Sequence, residues 1–203
     1  MSDHTLAVLQ TVRLKGRVTA DDIAAAVVVT VQQATETVEA LTAQGFLNTE
    51  KRIRITADGR EELQNLLAAE RAGLDQAAAE DVYEDFDQFN SDFKELASDW
   101  QIRDGEPNDH GDVDYDAAVL GRLAELHTGF QPLLERVVRA LPRLQPYPTR
   151  FSSALERVKA GDHAYFLRPV IDSYHTVWFE LHEELIGMLG RKREDEARAG
   201  RAE

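Results

Sequence analysis

The chain of 203 residues contains no cysteine. That excludes a disulfide framework and a thiolate metal site. Proline is scarce, six residues in all, and Ala, Leu and Glu are abundant, a balance that favours helices. No apolar run approaches the roughly 18 residues that a membrane span needs. No apolar h-region follows the first residues, so no signal peptide is expected and the cytoplasm is the expected compartment. The residues Gly-x-Ser-x-Gly, phosphate-loop glycines and His-Glu-x-x-His are all missing, so no enzyme is expected and no cofactor is called for. Positive charge is also short. Against 37 Asp and Glu stand 23 Lys and Arg, for a net charge of −14.

What is present is enough apolar material, 43% of residues, to bury the core of one large or two small domains. The charge is unevenly placed. Residues 1–60 hold seven basic and seven acidic groups, so the whole net charge lies beyond them. An acidic body behind a neutral N-terminal region would keep polyanions away from the body while leaving the N-terminal part accessible to them.

That N-terminal part carries the most specific pattern. Thr5 to Lys15 has apolar residues at Leu6, Leu9, Val12 and Leu14, close to helical spacing, and Gly16 ends it. Thr19-Ala20-Asp21-Asp22 supplies a capping hydroxyl and two acids for a short helix to Ala26. Thr30 caps a third helix to about Gln44, with Val31, Ala34, Val38 and Leu41 expected as its buried face. Gly45 supplies a left-handed C-terminus. Phe46–Thr49 and Ile53–Thr56 are short β-prone runs joined by Glu50-Lys51-Arg52. Helix, helix, helix and hairpin is the order of a winged helix-turn-helix.

The segments Leu41-Thr42-Ala43-Gln44-Gly45-Phe46-Leu47 and Arg54-Ile55-Thr56-Ala57-Asp58-Gly59-Arg60 resemble the end of the recognition helix and the wing of MarR-type transcriptional regulators. The resemblance covers the first third of the chain. It implies a DNA-binding winged helix at residues 1–60, flanking helices that dimerise, and a ligand-responsive regulator.

Beyond the wing, Asp58 to Ala72 reads as a helix, and a longer one runs from about Leu74 to Trp100. Val82, Phe86, Phe89, Phe93, Leu96 and Trp100 follow steps of 4, 3, 4, 3 and 4, the seam of helix–helix packing. Part of that seam is expected at a homodimer interface. Ile102 to Asp114 reads as a loop, and its acid-dense part, Asn108–Asp116, lacks the glycine and glutamate spacing of a calcium loop. Two helices, Asp114–His127 and Phe130–Leu141, a turn at Pro142, Pro146 and Pro148, a helix Phe151–Lys159, and a last helix His163–Leu189 follow. The expected organisation is a winged helix at 1–60, linking and dimerising helices at 61–105, a helical bundle that senses ligand at 106–190, and a flexible tail at 191–203. The fold class is mainly α with a small β-hairpin wing.

The third helix offers Thr30, Gln32, Gln33, Thr35 and Thr37 to a DNA groove, since Gln pairs with adenine edges and Thr reaches phosphates or thymine methyls. Lys51, Arg52 and Arg54 in the wing suit phosphates better. Asp172, His175 and His182 share a stripe of the last helix with Trp178 nearby, and His127 on another helix is in a position to join them. These five residues are the candidate ligand pocket. No metal site is expected among them, because Asp172 and His182, ten residues apart, are separated by about 15 Å of helix.

The expected function is therefore a homodimeric, cytoplasmic transcriptional regulator. Its partners are double-stranded DNA and a small-molecule effector, with no membrane. A ligand between helices would change the spacing of two recognition helices, which must match half-sites about 34 Å apart. The alternative is a winged-helix protein–protein interaction module that regulates an enzyme without binding DNA.

Overall fold

The computed structural model describes residues 4–198. The chain is mainly helical, with small antiparallel strand pairs. It divides between Leu74 and Asp75 into two compact units. Among the described residues no helix is long and apolar enough to cross a membrane.

The first unit runs α1 (Thr5–Lys15), α2 (Ala20–Val27), α3 (Val31–Ala43), β1 (Leu47–Asn48), β2 (Arg54–Ile55) and α4 (Ala57–Ala72). Local chemistry sets most of these boundaries. Thr19 and Asp22 form a reciprocal capping box at α2, and Thr30 and Gln33 form another at α3. Helix α3 closes with Gly45 at φ +81°. The Gly45 N–H donates to the Thr42 carbonyl and the Phe46 N–H to the Leu41 carbonyl, the paired bonds of a Schellman end. The hairpin pairs Leu47 with Ile55 and Asn48 with Arg54. Just before β2, Ile53 exchanges both backbone bonds with Val18, at 2.9 and 3.2 Å.

Thr56 then does two jobs. Its hydroxyl donates to the Gly45 carbonyl and accepts the Gly59 N–H at the start of α4. Gly59 is required there, because a Cβ would stand 2.1 Å from the Phe46 carbonyl oxygen. The Thr-x-x-Gly spacing thus joins the end of α3, the hairpin and α4. The core beneath is Val8, Leu9, Val12, Ile23, Val38, Leu41, Ile53 and Leu63. Val31, expected on the buried face of α3, is instead 47% exposed. It is the first residue of the helix, where the chain has not yet turned onto the core.

The second unit runs α5 (Gln76–Gln101), β3 (Ile102–Arg103), β4 (Glu106–Pro107), α6 (Val113–Ala140), a 3₁₀ turn (Pro142–Leu144), α7 (Pro146–Lys159), α8 (Ala164–Leu167), α9 (Tyr174–Met188) and α10 (Arg193–Arg198). Five of the six seam residues on α5 are buried, and Phe89 is half-buried against Phe130 of α6. The seam packs within the chain, on α6 and α9 through Phe130, Tyr174 and Trp178. It is therefore not the homodimer surface anticipated for it. Burying each large side chain contributes on the order of 1.5–3 kcal/mol, so these rings have no reason to face a partner.

Four further expectations change. The helices expected at 114–127 and 130–141 are one helix, α6, which continues through Pro132. Proline there loses a backbone bond and costs about 3 kcal/mol, but Phe130, Leu133, Leu134 and Val137 are all buried on the same face and offset it. The single helix expected over 163–189 is broken. Arg168 precedes Pro169 and takes an extended conformation, and Ser173 caps α9 afresh by accepting from the Thr176 N–H. The loop after α5 holds a small hairpin turned by Asp104-Gly105, both with positive φ. Asp112 caps α6 by accepting from the Tyr115 N–H, which holds its carboxyl below the usual range, with Arg103 assisting. Of the segment read as a tail, Arg193–Arg198 is helical, and residues 199–203 lie outside the described part.

Candidate functional site

The first unit presents the residues expected to meet DNA on two elements. Gln32 and Gln33 are exposed on α3, and Thr35 and Thr37 are half-buried. Their polar atoms are partly committed. The Gln33 side-chain carbonyl accepts from both the N–H and the hydroxyl of Thr30, at 2.9 Å each. Gln32 donates to Glu36 at 2.9 Å. The hydroxyls of Thr35 and Thr37 donate to the carbonyls of Val31 and Gln33. Glu36 and Glu39 are exposed on the same helix. Lys51 and Arg52 are exposed at the hairpin tip, with Arg52 3.9 Å from Asp22. Two half-exposed charges at that distance contribute little. Arg54 points away from the tip and lines a recess with Arg13 and Arg60.

In the second unit, His175, Trp178 and His182 line a cavity of about 630 Å³ between α5, α9 and the start of α10. Helical spacing explains the grouping, because positions 175, 178 and 182 lie along one side of α9. Facing them from α5 are Asn90, Phe93, Lys94, Ser98 and Gln101. Trp178 stacks on Phe93 with centroids 4.5 Å apart, and its indole N–H donates to Asn90 at 3.0 Å. At the rim Phe179 is 39% exposed, and the Arg193 guanidinium lies 4.6 Å from its ring. No carboxylate among the described residues lines this cavity.

The histidines are held neutral. Burial pushes His182 down to about 4; Arg193 and Lys94 act in the same sense, against Glu183 and Glu196. Burial also lowers His175. Near neutral pH both rings therefore offer one donor and one acceptor. His182 Nε2 sits 3.4 Å from the Tyr83 hydroxyl, which donates to Glu196 at 2.9 Å.

The other two expected members stand elsewhere. His127 is half-buried, 3.2 Å from the Tyr174 hydroxyl and 3.0 Å from Gln131. Burial, and then Lys159, lowers it. Asp172 accepts both arms of Arg150, at 3.0 and 3.1 Å. Arg150 also donates to buried Glu180 at 2.6 Å. Burial alone would lower Arg150, but Glu180 and then Asp172 outweigh it and hold the guanidinium charged. Among the described residues no group of three or more His, Asp or Glu is placed to hold a metal. Sequence spacing on α9 found the cavity's back wall. The α5 wall was missed because Asn90, Lys94, Ser98 and Gln101 lie outside the apolar seam and belong to no motif.

Set against family models, curated proteins and solved structures, the chain has no match in any of the three.

Proposed function

We propose that the chain is a MarR-like, winged-helix regulator of transcription that binds double-stranded DNA through its first unit and a small molecule through its second. The observation that carries the reading is the order α1–α2–α3–hairpin–α4 in one unit, with Ile53 beside β2 tied back to Val18 and the Thr56–Gly59 joint at the start of α4. Such an arrangement leaves one face of α3 and the hairpin tip in solvent, where a duplex groove and its phosphates would meet them. The cavity of about 630 Å³ supports the effector half of the reading, since small-molecule sites commonly span about 300–1,000 Å³. The protein works as a cytoplasmic homodimer, because two half-sites must be engaged together, and its dimer surface uses residues other than the α5 seam.

The test is a salt titration of binding to the chain's own upstream DNA and to a random duplex. A DNA binder loses affinity steeply as salt rises, and prefers the upstream fragment. Changing Lys51 and Arg52 together to Ala should weaken both complexes and reduce the salt slope by up to about two. Binding that ignores salt, or a slope unchanged in the double variant, overturns the reading.

One set of contacts favours a second reading, a protein-interaction module without DNA binding. The Gln33 carbonyl is held in the capping box, Gln32 is held by Glu36, and two carboxylates are exposed on the same helix. Those groups are poor readers of a polyanion. Failure of the salt titration transfers the assignment to this second reading.

A further inference from the structure

A recess of about 360 Å³ in the first unit gathers three arginines from three separate segments: Arg13 near the end of α1, Arg54 on β2 and Arg60 in the first turns of α4. Asn48 and Thr56 add polar groups to the wall, and no carboxylate among the described residues lines it. Residues 1–60 hold seven bases and seven acids, and three of those seven bases meet in this one recess. In the second unit Arg122 and Arg150 each hold two carboxylates. Neither Arg54 nor Arg60 holds any among the described residues; the bond recorded for Arg60 is a long one, 3.4 Å, to the Thr56 carbonyl. The Arg13 guanidinium is steadied by buried Gln10, which accepts its Nε–H at 3.0 Å.

Like charges brought together at a surface repel, and an anion between them removes the repulsion. We propose that this recess binds the phosphate group of a small molecule. A phosphate offers up to two charges and several oxygens to three guanidiniums, where a carboxylate offers one charge and two oxygens. The recess is larger than one phosphate and falls within the range of small-molecule sites, about 300–1,000 Å³, so there is room for the group the phosphate is attached to. The guanidiniums line a hollow and do not stand on the hairpin tip, which sets the site apart from the Lys51 and Arg52 surface offered to DNA.

The proposal is tested on the full chain by calorimetric titration with inorganic phosphate and with pyrophosphate, at fixed ionic strength balanced with sodium chloride. Saturable one-site binding is expected. Arg54→Gln and Arg60→Gln should each weaken it at least about tenfold, the loss of one charge-assisted contact. Arg139→Gln, exposed on α6, should leave it unchanged. Should the variants misfold, the wild type is treated with phenylglyoxal, and pyrophosphate should protect Arg13, Arg54 and Arg60 but not Arg139. No saturable binding at about 10 mM, equal effects of Arg139→Gln, or no selective protection overturns the proposal. So does a wild type that binds neither free anion while Arg54→Gln and Arg60→Gln lower its affinity for a duplex, because the recess would then hold a backbone phosphate. Phosphate binding by a chain that ignores DNA would sustain this site and remove the regulator reading.

Discussion

Replacing Arg150 by Met should be among the most damaging single changes in the second unit. The Arg150 side chain is 7% exposed and that of Glu180 is 4% exposed, with 2.6 Å between their charged atoms. Met fills similar space but withdraws the guanidinium from a carboxylate that stays buried. Removing one partner of a buried pair costs up to about 3–5 kcal/mol, less here to the extent that Glu180 keeps its other contacts. Asp172, 39% exposed, contributes little to that loss because water replaces the guanidinium. The assay is urea unfolding at pH 7.5 followed by tryptophan fluorescence. Both tryptophans, Trp100 and Trp178, lie in the second unit, so the signal reports on it alone. The double variant Arg150→Met/Glu180→Leu should recover most of the stability, since an apolar pair of matching volume is commonly neutral or better. A loss below about 1 kcal/mol for Arg150→Met, or a double variant that merely adds the two single losses, would refute the reasoning.

Three further outcomes are expected. His182 titrates at about 4 in the folded chain and near 6.5 when unfolded. The unfolded state therefore takes up the proton first, and stability is lost as pH falls from about 6.5 to 4. That group alone should lower unfolding free energy by about 2 kcal/mol between pH 7.5 and pH 5, and a His182→Leu variant that keeps the full drop would remove it as the cause. Gly59→Ala forces a methyl against the Phe46 carbonyl and should destabilise the first unit by about 1–3 kcal/mol or more, read as lost hydrogen-exchange protection in α4 with the second unit unchanged. Val28 is 60% exposed in a left-handed conformation, φ 57°, between α2 and α3. Val28→Asn should stabilise the first unit by roughly 1 kcal/mol, and a loss of protection in α2 and α3 would contradict the strain.

Residue order and spacing were enough to place the elements whose ends are local chemistry. Thr5–Lys15 was legible as α1, Thr19 and Thr30, as caps, placed α2 and α3, and Gly45 marked the turn into the hairpin. Those signals act through atoms a few residues apart, so spacing alone carries them. The seam on α5 was equally legible as a buried stripe, but not what covers it. Long-range packing settles that α6 and α9 do so within the chain, that α6 runs through Pro132, and that Pro169 and Ser173 divide the last helix. A proline's cost is fixed locally, and whether it breaks a helix depends on the apolar area that continuing the helix buries. The candidate sites divide in the same way. His175, Trp178 and His182 share a side of one helix and were grouped by periodicity, while the α5 residues that complete their cavity lie far away in sequence. Asp172 was drawn from that group by Arg150, and Arg54 from the hairpin tip into a recess with Arg13 and Arg60. Contacts between distant segments have no period, so they wait on the packing that brings the segments together.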